Sequence, residues 1–210
     1  MVSMVEHIIF HSRGKHLTAL SNFSPHTLRI DGHSFSCGEA YFHFAKFRAA
    51  AKVHAAADSE AAKKRHRQLV AHAAKLADTE LGGLSAKRIG GKGAQGLRLE
   101  GAELQAWDAE REAVQRKLCQ ERLAQGPEAE VVRAQLQQSG NAVLVHFERG
   151  ANPDTYWGGK VVDAGTATAR VVGHNTLGRL WMEFRAKLPP APAAACIAAA
   201  DQVPKKHRCE

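Results

Sequence analysis

The sequence predicts a mainly α-helical domain with a few short β-strands, an α+β class, and three observations lead there. Residues 39 to 81 contain no Gly and no Pro and are rich in Ala, Lys, Arg and His, the composition of one or two long helices. Apolar side chains recur at helical spacing in residues 103 to 124 (Leu104, Trp107, Val114, Leu118) and again after Asn175 (Leu177, Leu180, Trp181, Phe184, Leu188). Only brief stretches, residues 5 to 10, 27 to 35 and 142 to 147, have the β-branched and aromatic character of extended chain.

In chain order, VEHIIF reads as a short strand. TLRI and HSF flank Asp31-Gly32, a pair that suits a two-residue hairpin because both turn positions need positive φ. The long helical stretch follows. Residues 82 to 101 hold seven glycines and read as a loop. The helix over 103 to 124 is stopped by Gly126-Pro127, and a further helix over 128 to 138 ends near Gly140. AVLVHF is a strand, and Asn175 is placed to cap the last helix. The Pro/Ala-rich segment 189 to 210 is expected to be a disordered tail, so the domain is expected over 1 to 188.

Bulk properties narrow the function classes. The chain has 210 residues, enough for one sizeable domain. No apolar run approaches the length of a membrane span, and the N-terminal residues lack a secretory pattern. Cys37, Cys119, Cys196 and Cys209 are widely separated and form no CxxC, so the expectation is a reduced, cytoplasmic protein. The net charge is +8, and without the last 22 residues 26 Lys/Arg still face 19 acids. That excess favours anionic partners. The twelve histidines match no zinc-ligand spacing, so no metal is expected, and no cofactor.

Several local patterns carry chemistry and an ordinary structural explanation at once. Glu39, Phe42, His43 and Lys46 share a helix face, which puts a carboxylate and an amine about 10 Å apart along the axis. Ser36-x-x-Glu39 also fits a capping box, with Lys46 then a solvated lysine. GGKGAQG contains G-x-G-x-x-G at Gly91, Gly93 and Gly96, but it follows helical rather than strand sequence and is rejected as a dinucleotide fingerprint. Lys87, Arg88, Lys92 and Arg98 make that region a basic loop. KKRHR at 63 to 67 is a solvated helix face or a nucleic-acid footprint. GHNTLG at 173 to 178 is an N-cap or an anion site. Trp107 reads as core. Trp157, between Asp154 and Gly158-Gly159, has less need to be.

Five stretches in order, LSNFSP (20 to 25), DGHSFSCGEAYFHFAKF (31 to 47), Trp107 within a helix, VLVHFERGANPDTYWGGK (143 to 160) and GHNTLGRLWMEFR (173 to 185), resemble the YbiA-like or NADAR family. The resemblance spans about residues 8 to 188 and implies a single YbiA-like domain that hydrolyses N-glycosidic bonds. The implied substrates are phosphoribosyl intermediates of early riboflavin synthesis, or ADP-ribose on guanine of nucleic acid. Carried over by position, Glu39, Trp107, Asp154 and Trp157 match active-site residues, and Lys46 matches a lysine proposed to form a Schiff base. Asn22 and Asn175 match polar residues lining the ligand site. Gly158 would let backbone approach the ligand, and the 173 to 178 turn would hold phosphate. The chain departs from the pattern in a long insertion around 50 to 75, in Arg122-Leu123 for a usual Lys-Phe, and in Gly90-Gly91 for a usual Gly-Arg. The alternative is a module that binds ADP-ribose or nucleic acid without cleaving it.

Overall fold

The computed structural model describes residues 6–91 and 96–189. Among the described residues, three two-stranded sheets and six helices follow in the order β1 (His7–Phe10), β2 (Pro25–Ile30), β3 (His33–Cys37), α1 (Gly38–Lys52), α2 (Glu60–Ala74), α3 (Gly83–Gly90), α4 (Ala102–Ala124), α5 (Glu128–Gln138), β4 (Val143–His146), β5 (Lys160–Val162), β6 (Arg170–Val172) and α6 (Thr176–Arg185). A 3-10 turn, Thr18–Leu20, follows β1. The mainly helical α+β class is as the sequence predicts. Among the described residues no helix is long and apolar enough to cross a membrane.

β2 and β3 are the antiparallel hairpin expected around Asp31-Gly32, and both turn residues have positive φ, 53° and 78°. β1 pairs with β4 in parallel, so segments 136 positions apart meet in one ladder. β5 and β6 form a small hairpin beyond it, which the sequence reading did not include.

Two apolar clusters fill the interior. One joins the β2–β3 hairpin to α1, α2 and α3 through Leu28, Phe35, Phe44, Phe47, Leu69 and Leu76. The other joins β1, β4, α5 and α6 through Phe10, Leu20, Leu136, Leu144, Leu180 and Trp181. α4 touches both, giving Leu118 to the first and Cys119 to the second. Of the expected stripe on α4, Trp107, Val114 and Leu118 face inward, but Leu104, in the first turn, is exposed.

Two sequence expectations are corrected. Residues 82 to 101 are not a continuous loop, since Gly83–Gly90 is helical. The glycines at its ends serve close packing: a Cβ on Gly83 would stand 2.8 Å from Phe23 Cα, and a Cβ on Gly90 would overlap the His43 ring. Lys87 and Arg88 therefore lie on a helix; Lys92 and Gly93 lie outside the described residues, as does the tail beyond Pro189. The capping box is also absent. Cys37 is the N-cap of α1 and makes no side-chain cap, while Ser36 Oγ donates to the Leu81 carbonyl. Glu39 is thereby released from capping.

Candidate active site at the seam of two clusters

Glu39 sits in the first turn of α1, with its backbone N–H on the Asn22 carbonyl at 2.8 Å. Its side chain is buried. His43, one turn on, is equally buried, and its Nε2 lies 3.0 Å from Glu39 Oε1. Lys87 reaches down from α3 to place Nζ 3.4 Å from the same oxygen. Burial alone would raise the Glu39 pKa; the hydrogen bond from His43 and the positive charge of Lys87 outweigh it and hold the carboxyl below its usual range. For His43 burial dominates and, with Lys46 and Lys87, lowers its pKa against the pull of Glu39. The consistent state is an ionised Glu39 accepting from neutral His43 in its Nε2–H tautomer. His43 Nδ1, the remaining lone pair, is buried without a partner.

Gly90 closes this arrangement from above. It presses on the His43 imidazole, and its carbonyl accepts from Lys46 Nζ. Lys46 Nζ also lies 4.5 Å from the Phe47 ring centroid. Glu39 and Lys46 each meet the His43–Gly90 contact, Glu39 through His43 Nε2 and Lys46 through the Gly90 carbonyl. His146 of β4 has its pKa pushed down by burial to about 4, with His11 and Lys87 adding to the shift and Glu39 opposing it.

The aromatic side of the site comes from three distant segments. Phe42 of α1 meets Trp107 of α4 edge-on at 4.9 Å between centroids and Trp157 at 5.2 Å. Trp157 packs on the second apolar cluster and Phe42 on the first, so these rings seal the seam between them. Tyr156 stands against Trp157 at 4.9 Å, covered by the Arg111 guanidinium at 3.8 Å and tied through its hydroxyl to Glu112 at 2.8 Å. Trp157 is half-buried, whereas Trp107 is buried, as core packing would have it.

The other candidates fall differently. Asp154 is exposed in the turn before Trp157, where its backbone N–H is taken by Asn152 Oδ1 at 2.9 Å. No contact joins its carboxylate to Glu39 among the described residues. Asn22 pairs its amide with Gln115 of α4 (2.8 and 3.2 Å) and serves as the bracket behind Glu39. Asn175 occupies the N-cap position of α6 with φ 49°, yet its side chain does not cap. It bridges β4 instead, donating to the Leu144 carbonyl (2.8 Å) and accepting from the His146 N–H (3.0 Å).

Two expectations for the glycine-flanked loops are corrected here. The turn at 173 to 178 offers no open row of N–H groups, because His174, Asn175, Thr176 and Leu177 donate to the carbonyls of Thr155, Gly158, Tyr156 and Trp157. An anion would have to displace all four. Gly158 gives close approach to protein rather than to a ligand: its Cβ would stand 2.6 Å from the His146 carbonyl and 2.8 Å from Glu148 Cβ. These bonds instead lock the Trp157 loop onto β4 and α6. Lys87 is the site residue that sequence reasoning missed, because it was assigned to a loop; His146 lies within the quoted 143 to 160 stretch, where it was given no role.

Two clefts lie elsewhere. One, of about 620 Å³, is lined by His54, Arg65, Arg98 and Glu103, and another, of about 490 Å³, runs beside β1 and α5. Size does not make the first reactive. Glu103 accepts from His54 (2.8 Å), twice from Arg65 (2.7 Å each) and from the Glu100 N–H (3.2 Å), so its lone pairs are committed. Glu39 takes both of its contacts on Oε1, and Oε2 receives no hydrogen bond among the described residues.

The NADAR domain family profile matches residues 9–189. The solution structure of the Escherichia coli protein YbiA is similar at a TM-score of 0.51 and 26% identity, covering 89% of this chain and 86% of that one. No curated protein matches significantly. With the profile spanning the whole arrangement from β1 to the end of α6, the chain belongs to the NADAR domain family.

Proposed function

We propose that this protein is an N-glycosidase that hydrolyses the ribose–nitrogen bond of phosphoribosyl or ADP-ribosyl compounds. The observation that carries the reading is a buried, ionised carboxylate, Glu39, set beside a wall of Phe42, Trp107 and Trp157 drawn from three distant segments. Breaking C1′–N builds oxocarbenium-like charge on the sugar. The Glu39 carboxylate opposes that charge and orients water; the water oxygen bonds to C1′ and its proton is delivered to the released nitrogen. Half-buried Trp157 offers a face for the departing base, an interaction worth roughly 1–3 kcal/mol.

Asp154, three residues before Trp157 on the exposed lip, is the second carboxylate in this reading and meets the ribose hydroxyls or the leaving group as substrate enters. Lys46 gives a covalent variant: its amine adds to C1′ of the ring-opened sugar, still joined to the base as an imine, the base nitrogen leaves with a proton as a Lys46 imine forms, and water hydrolyses that imine to the free sugar and the amine. The test offers the protein a riboflavin-pathway ribosylamine phosphate and an oligonucleotide carrying ADP-ribosylated guanine, and measures free ribose phosphate or ADP-ribose. Release from either supports hydrolysis, and the ratio of rates names the substrate. Binding without release from both means a binding module instead, a reading favoured by the Lys87 contact on Glu39.

A further inference from the structure

We propose that the outward face of α2 is a docking rail for a nucleic-acid backbone that leads to the Glu39 site. Residues 61 to 77 contain five Lys/Arg and no acid at all. Two of those cations are spent within the protein, Lys63 on Glu60 at 3.4 Å and Arg65 on buried Glu103 at 2.7 Å. Lys64, Arg67 and Lys75 have no carboxylate in salt-bridge reach among the described residues, and all three are exposed. They share one side of the helix, separated by Gln68 and Ala71, while Leu69, His72 and Ala73 turn inward to α1.

Lys64 and Lys75 stand about 16 Å apart along the axis, the span of about five phosphates on one strand. The rail is aimed. At its Lys75 end the His72 Nε2 lies 2.9 Å from the Ile89 carbonyl, beside the Gly90 that grips His43 and holds Lys46. His72 also packs on Phe47, the residue after Lys46, at 4.4 Å between ring centroids, so rail and site are neighbours.

Three exposed cations along one helix side without an aromatic or large aliphatic anchor suit a polyanion rather than a folded protein partner, whose binding depends on such anchors. A lipid surface would need large apolar side chains to insert beside the cations, and between these three stand only Gln68 and Ala71. What the rail says about substrate rests on the hydrolase reading: it favours a ribosylated base within a polynucleotide over a free metabolite.

The test measures binding, not turnover, so the two readings fail separately. Wild type, Glu39→Gln and the triple variant Lys64→Gln/Arg67→Gln/Lys75→Gln are titrated by fluorescence anisotropy against an unmodified single strand of about 20 nucleotides over a range of salt. Thermal melts check that the three exposed changes leave the fold intact. Wild type and Glu39→Gln should bind alike and without sequence preference. The triple variant should bind on the order of a hundredfold more weakly near 0.1 M salt, with a slope of log K against log salt shallower by about 2. Equal affinity and slope in wild type and triple variant overturn the rail, as does tighter binding to phosphatidylserine vesicles than to the oligonucleotide. Rail binding with no glycosidase activity keeps the rail and removes the hydrolase.

Discussion

Gly90→Ala is the substitution that most sharply probes how Glu39 is held. Gly90 has no positive φ that would exclude alanine, and its place in a helix would by itself favour alanine by about 0.5–1 kcal/mol. The obstacle is steric, because the new Cβ would overlap the His43 ring. Overpacking of this kind costs about 1–3 kcal/mol. A ring pushed aside also loses its hydrogen bond to an ionised buried carboxylate, about 1.5–3 kcal/mol. The net expected loss is about 2–4 kcal/mol. In a His43→Ala background the ring is gone, so Gly90→Ala should be neutral or slightly stabilising. Urea denaturation of the wild type, both single variants and the double variant gives the coupling energy directly. A coupling under about 0.5 kcal/mol would refute the claim that Gly90 clamps His43 onto Glu39.

Three further outcomes follow from the contacts. Glu103, its side chain 6% exposed and held at a pKa of about 2 by Arg65 and His54 against burial, contributes stability above about pH 4.5 that fades as pH falls toward 2. Glu103→Gln should therefore cost about 2–3 kcal/mol near neutral pH and little at the acid end, and a gap independent of pH in urea melts would contradict this. Trp181→Ala, fully buried with its Nε1–H on the Leu20 carbonyl, should cost about 3–5 kcal/mol, whereas half-buried Trp157→Ala should cost about 1–2 and act mainly on KM; equal costs in thermal melts would count against a ligand-facing Trp157. Asn175→Ala orphans the Leu144 carbonyl and the His146 N–H and leaves alanine at positive φ, so denaturant titration should show about 3–5 kcal/mol lost, and a loss below 1 would refute its bridging role.

Much of the scaffold is written locally in the chain. The Asp31-Gly32 hairpin, the α5 boundaries and the apolar face of α6 depend on residues a few positions apart, and all appear as read. α3 was illegible for the opposite reason. Its glycines are there because Phe23 and His43 approach from elsewhere, and close packing of that kind leaves the same letters as a flexible loop. The site divides in the same way. The shared face of Glu39, Phe42, His43 and Lys46 is helical periodicity, visible in one turn of sequence. Whether Glu39 capped its helix or faced a charge depended on Lys87, 48 positions away. The 173 to 178 turn looked open to phosphate because sequence gives no sign that carbonyls 155 to 158 fill it.

The most direct measurement is single-turnover release of ADP-ribose or ribose phosphate by wild type and Glu39→Gln, on whichever substrate the wild type cleaves. The amide keeps the size of the side chain and removes the charge. The account predicts a fall on the order of a hundredfold or more with substrate still bound. A Glu39→Gln protein that turns over at the wild-type rate would contradict it.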